Sequence, residues 1–157
     1  MTSDERADHV WRHAVIAQMA AITYLEVIEW VPMAPWNDLS RGNGQGTLDI
    51  AIGVIGLTLA ALTLRRFRAA AATACCAYAA WLALQVHTWW VPYISGASPQ
   101  WERVYARWFA HTWRFLPEVG NHPVPDASHT VLHGLLLWAV IATWRAVRQG
   151  DFQEGRT

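Results

Sequence analysis

Residues 14–31 read AVIAQMAAITYLEVIEWV, and Pro32 follows. The run is close to the roughly 20 apolar residues that a bilayer-crossing helix needs. Proline one residue beyond it is an ordinary helix stop. Yet the run contains Gln18, Glu26 and Glu29. A carboxylate inside hydrocarbon is costly, so an ionisable residue there reads first as a functional one. The sequence therefore points to a membrane protein with a polar site.

Working outward, three further segments have span length: residues 48–64, 69–91 and 129–147. Pro92 is expected to stop the third as Pro32 stops the first. Thr47 is placed to cap the second, with Asp49 in its first turn, and Asp126 to cap the fourth. The fold expected is all-α: a single-domain integral membrane four-helix bundle. Residues 98–116 add an amphipathic helix on its outer surface. There Trp101, Val104, Tyr105, Trp108, Phe109 and Thr112 recur at helical spacing, and Glu102, Arg103 and Arg107 fall mainly between them. Ser98 followed by Pro99 is a good helix start.

Composition agrees. Of 157 residues 54% are hydrophobic and only 15% charged, against about 25% charged in an ordinary soluble domain. Net charge is zero, which removes the basic field that nucleic-acid binding needs. The two cysteines, Cys75 and Cys76, are adjacent, so they form neither an ordinary disulfide nor a zinc pattern.

The basic residues are all arginine. Arg6, Arg12, Arg65, Arg66, Arg68, Arg145, Arg148 and Arg156 fall on one side of the expected bundle. Arg41, Arg103, Arg107 and Arg114 fall on the other, within longer loops. The positive-inside rule then places the chain in the cell membrane with both termini cytoplasmic. Trp30-Val31-Pro32 and Trp90-Val91-Pro92 end the first and third spans alike, a faint internal repeat.

The polar residues cluster by depth. Glu26 and Glu29 lie near the outer end of the first span, His87 near that of the third, and His129 and His133 in the first turns of the fourth. Glu26 and Glu29 are i, i+3 neighbours, and Asp126, His129 and His133 form one stripe at i, i+3, i+7. In lipid such stripes should face inward. The site expected is therefore outward-facing, with Glu26, Glu29, His87 and His129 as acid–base residues. Trp30, Trp89, Trp90 and Asp126 would wall its substrate pocket, since aromatic walls around carboxylates suit an apolar or cationic molecule.

Two function classes follow. One is a small membrane enzyme acting on a lipophilic or amphipathic substrate, by isomerisation, cyclisation or metal-assisted oxidation. The other is a non-catalytic accessory subunit holding a metal or haem. His129 and His133 have the i, i+4 spacing that lets one helix hold a metal, and His87 and Glu26 would complete four ligands. A divalent metal ion stands ahead of haem as cofactor, because haem makes the glutamates incidental. The partners expected are the lipid bilayer, a lipophilic small molecule, and further copies or a membrane complex, with no nucleic acid. A proton-coupled transporter is disfavoured, because the cytoplasmic halves offer no matching polar path. The chain has no nucleotide-binding glycine loop, nucleophile elbow or HExxH motif. Gly53 and Gly56 read as a close-packing pair.

Overall fold

The structure, a computed structural model, describes residues 3–40, 46–109 and 111–154. Among these residues it is all-helical, with no strand. The helices are α1 (Ser3–Trp30), α2 (Thr47–Leu64), α3 (Arg68–Ser95), α4 (Pro99–Trp108) and α5 (Ala127–Glu154). Three of them, α2, α3 and α5, are long and apolar enough to cross a membrane. Helix α1 has the length, but Gln18, Glu26 and Glu29 dilute its apolar run.

The four long helices pack in a closed order: α1 on α2 and α5, and α3 on α2 and α5. Small side chains let them approach. Ala14, Ala17 and Ala21 of α1, Ala71 and Ala74 of α3, and Ala139 and Ala146 of α5 are all fully buried. On α2 the buried face carries Gly53 and Gly56. A Cβ at Gly53 would come within 2.3 Å of Glu26 Oε1, and one at Gly56 within 2.4 Å of Ile22 Cδ1. At the glycine pair α2 leaves no room for a Cβ against α1, a small-residue contact of the kind that lets helix backbones close up in membranes.

Midway along α1, buried Gln18 donates to Thr143 Oγ1 of α5 at 2.9 Å and to Thr63 Oγ1, in the last turn of α2, at 3.4 Å, tying α1 to both. Arg66, in the turn between α2 and α3, pairs with Asp8 near the start of α1. That turn therefore shares one end of the bundle with the start of α1. The outward faces are apolar: Leu48, Ile50, Val54, Ile55 and Leu64 of α2 are each more than half exposed. An apolar surface of that extent asks for a non-aqueous neighbour.

Three local expectations are corrected. Pro92 does not end α3, which runs on to Ser95. Residues Val86–Trp90 widen into a π-turn, with Val91 N–H bonded to Val86 O. That wider turn takes up the ladder position that a proline cannot fill. Thr47 is not the cap of α2; Gly46 is, and its N–H donates to Asp49 Oδ2 at 2.9 Å. The amphipathic helix is shorter than the expected 98–116 and ends at Trp108, where Phe109 leaves the helix to pack on Trp89 and His129. Its start is as expected, with Ser98 Oγ accepting from Trp101 N–H at 3.2 Å.

Candidate functional site

Asp126 is fully buried at the N-terminus of α5. Its Oδ1 accepts three hydrogen bonds: from His129 N–H at 2.8 Å, His129 Nδ1 at 2.8 Å and Ser128 Oγ at 3.0 Å. The first is the cap expected from sequence. Burial by itself would raise the Asp126 carboxyl. The hydrogen bonds of His129 and Ser128, with the positive charge that His129 has whenever it is protonated, outweigh burial and hold it below the usual carboxylate range. An ionised carboxylate only accepts, so Nδ1 of His129 carries the proton and Nε2 is left as the basic nitrogen.

The His129 ring is clamped by aromatics. Trp89 lies against its face with centroids 4.1 Å apart, and Phe109 meets it edge-on at 5.3 Å. Trp89 is itself buried and set edge-on against Trp101 and Tyr105 of α4. This aromatic wall leaves His129 little freedom except at the side facing a cavity of about 260 Å³. That cavity is lined by Glu29 of α1, by Asp126, Ser128 and His129, by Asn37 and Asp38 of the first loop, and by Trp108, Phe109 and Thr112 at and beyond the end of α4.

The loops around the cavity are tied down. Asn37 is buried, donates through Nδ2 to Ile28 O at 2.6 Å and Val31 O at 2.9 Å, and accepts from Met33 N–H at 2.7 Å. It thereby satisfies carbonyls that the end of α1 would leave orphaned. Trp36 Nε1 donates to Tyr24 Oη at 2.9 Å, and Tyr24 Oη donates to Ser128 O at 3.1 Å. Trp113 N–H bonds Pro35 O at 2.7 Å, and Ala127 N–H bonds Trp113 O at 2.8 Å. One loop thus braces the other, and both brace the start of α5.

Of the residues singled out in the sequence, Glu29, Asp126 and His129 line this one cavity. The others do not join them there. Glu26 faces α2 over Gly53, with Oε2 accepting from Trp30 Nε1 at 2.9 Å. Its Oε1 is buried without a hydrogen-bond partner among the described residues. His133 is buried one turn deeper on α5, and its Nδ1 accepts from Trp90 Nε1–H at 2.9 Å. His87 is exposed on the π-turn of α3, and Trp30 is 44% exposed. Trp89 acts through His129, and Trp90 through His133.

The four-ligand metal set of His87, His129, His133 and Glu26 is accordingly not assembled. Among the described residues no three His, Cys, Asp or Glu side chains are grouped to hold one ion. The physical reason is orientation: His87 faces outward, His133 is bonded to Trp90, and Glu26 is turned toward α2.

Sequence reasoning passed over Asn37, Ser128 and Thr112 as site residues. Ser128 sits within the Asp126–His129 stripe and could have been noted there. Asn37 comes from an irregular loop, where no period signals it, and Thr112 falls on the period of the amphipathic segment but lies beyond the end of its helix at Trp108. Ser128 does not make the group a nucleophilic triad. Its hydroxyl bonds Asp126 and lies 3.4 Å from Nδ1 of His129, the nitrogen turned away from the base role. Comparison with protein-family models, with curated proteins and with solved structures finds no match to this chain.

Proposed function

We propose that the chain is a small integral membrane enzyme whose reaction is proton transfer on an amphipathic or lipophilic substrate. In this reading α1 joins α2, α3 and α5 as a fourth span. The termini are cytoplasmic, α4 lies along the outer surface, and the Asp126–His129 cavity opens near the outer leaflet. The arginine distribution and the exposed apolar faces of α2 support it.

The observation that carries the chemistry is the pairing of Asp126 Oδ1 with His129 Nδ1 at 2.8 Å on the wall of a cavity that Glu29 also lines. Asp126 fixes the tautomer, so His129 Nε2 takes a proton from the substrate. Glu29, from a different helix, is placed to deliver or receive the second proton. Two proton-transfer groups on facing elements suit isomerisation or cyclisation, where one proton leaves and another arrives. The 260 Å³ volume falls just below the roughly 300–1,000 Å³ of pockets for drug-sized ligands. It therefore admits a small substrate, or the polar end of a longer one whose tail stays in lipid.

Solvent-deuterium exchange tests this with the whole membrane-lipid pool as candidate substrate. Purified chain is incubated with total membrane lipid in D2O, and the lipids are scanned by mass spectrometry for new isotopologues or isomers. A lipid that exchanges or converts with the wild type and not with His129→Gln is the expected result. Conversion that persists in His129→Gln and Glu29→Gln removes both from the mechanism and leaves a binding role.

A further inference from the structure

At the opposite end of the bundle, α1 and α5 form a second groove, of about 180 Å³. Its polar end is built from His9 and His13 of α1 and Arg145 of α5. The two imidazoles are one turn apart and in contact, with ring centroids at 4.6 Å. Its apolar end is Trp138, Ile141 and Ala142 of α5. No carboxylate lines the groove among the described residues, and nearby Asp8 is engaged by Arg66 of the α2–α3 turn. A second cation stands close along α5, where the Arg148 guanidinium lies 4.9 Å from the Trp144 ring centroid.

The polarity of this groove runs along the helix axes. Arg145 and Trp138 are seven residues apart on α5, about 10 Å at the helical rise. The N–H donors lie toward the start of α1 and the end of α5, and the apolar wall toward the middle of the spans. That order matches a lipid entering from the membrane surface, with its phosphate outermost and its chains inward. A guanidinium and two imidazole N–H groups are suited to phosphate oxygens.

We propose that this groove holds the headgroup of an anionic phospholipid, with phosphate on His9, His13 and Arg145 and the first acyl carbons against Trp138 and Ile141. It rests on the membrane reading of the four long helices and is independent of the Asp126–His129 site. A resident anionic lipid there would clamp α1 to α5 at the end where the two helices run past the bilayer.

The test uses the full chain in detergent micelles, with bound lipid read by native mass spectrometry. Dioleoyl phosphatidylglycerol is compared with dioleoyl phosphatidylcholine and with inorganic phosphate. The expected result is a preference of about tenfold for phosphatidylglycerol, the size that one charge-assisted contact supports. It should fall away in Arg145→Gln and in the double variant His9→Gln/His13→Gln. Arg12→Gln, exposed on α1 and outside the groove, should leave it intact. Trp138→Ala should weaken lipid binding without changing that of inorganic phosphate.

Equal binding of both lipids, or a preference that survives both the arginine and the double histidine variants, overturns the proposal. Displacement of phosphatidylglycerol by inorganic phosphate makes this a free-phosphate site and overturns the lipid assignment. If Arg145→Gln does not give a monodisperse protein, the double histidine variant, altered only at exposed positions, carries the test. Fractionation of cells comes first: recovery of the chain without detergent from the soluble fraction sinks the membrane reading itself. Membrane recovery without lipid preference sinks the groove alone.

Discussion

Asp126 Oδ1 accepts from both the backbone N–H and the Nδ1 of His129, each at 2.8 Å. One oxygen therefore caps α5 and fixes the tautomer of the histidine three residues on. The helix start and the orientation of the base are set by the same contact. A substitution at Asp126 should accordingly act on stability and chemistry together, and the choice of substitution separates them.

Asp126→Ala removes the cap and should destabilise the chain by about 1 kcal/mol, as cap deletions generally do. Asp126→Asn keeps a capping oxygen but no longer titrates. The folded pKa of Asp126 lies below its unfolded value, which is about 3.9. Its contribution to stability is therefore complete above that pH and is lost as pH falls through the lower, folded value. Melting temperatures in detergent between about pH 5 and 2 should drop for the wild type and drop less for Asp126→Asn. Parallel pH curves for the two proteins would remove Asp126 from the acid limb.

The contact between α1 and α2 gives a second prediction. A Cβ at Gly56 would meet Ile22 Cδ1 at 2.4 Å and Cγ1 at 2.6 Å. Isoleucine is β-branched and buried, so it has little room to yield. Gly56→Ala should cost about 1–3 kcal/mol, the range for overpacking. At Gly53 the clash is with Glu26 Oε1, the far end of a flexible side chain, so Gly53→Ala should cost less. Combining Gly53→Ala with Glu26→Ala should recover part of that loss. Thermal melts of these variants check the order, and equal losses at the two glycines would contradict it.

Helical spacing made part of the site legible. Asp126 and His129 at i, i+3 share a face and do meet. Glu26 and Glu29 have the same spacing, but i, i+3 positions still differ by about 60° around the axis. That difference puts Glu26 against α2 and Glu29 on the cavity. Depth alone placed His87, with no second polar residue on its helix to fix a face, and it stands exposed on the π-turn. Phe109 and Thr112 fall on the period of the amphipathic segment, but its helix ends at Trp108, so they reach the site from a helix end and a loop, and Asn37 reaches it from a loop held by hydrogen bonds that no periodicity encodes.

The four-span reading has a direct check. After Cys75 and Cys76 are replaced by alanine, single cysteines at Ser40 and Ser98 should react with a membrane-impermeant maleimide in intact cells. A cysteine at Arg66, in the turn at the same end as the start of α1, should react only after permeabilisation. Both loop positions reacting only after permeabilisation would invert the topology. A split between Ser40 and Ser98 would mean that α2 or α3 does not cross, and a cysteine at Arg6, ahead of the apolar part of α1, that reacts in intact cells together with Ser40 would mean that α1 does not.

The last prediction separates the two glutamates, which composition and depth make look equivalent. Glu29 lines the cavity with His129, whereas Glu26 bonds Trp30 and fills the space over Gly53. Glu29→Gln keeps the shape and removes the proton that the proposed reaction moves. It should lower turnover of the exchanged lipid by about a hundredfold or more, the usual contribution of a general acid or base, with melting temperature and lipid binding near wild type. Glu26→Gln should leave turnover close to that of the wild type, because its carboxylate is not among the groups that line the cavity. Its effect belongs in stability, since the amide must still receive the Trp30 indole and sit over the glycine. Turnover lost in Glu26→Gln and retained in Glu29→Gln would reverse the assignment and move the reacting group to the α1–α2 contact.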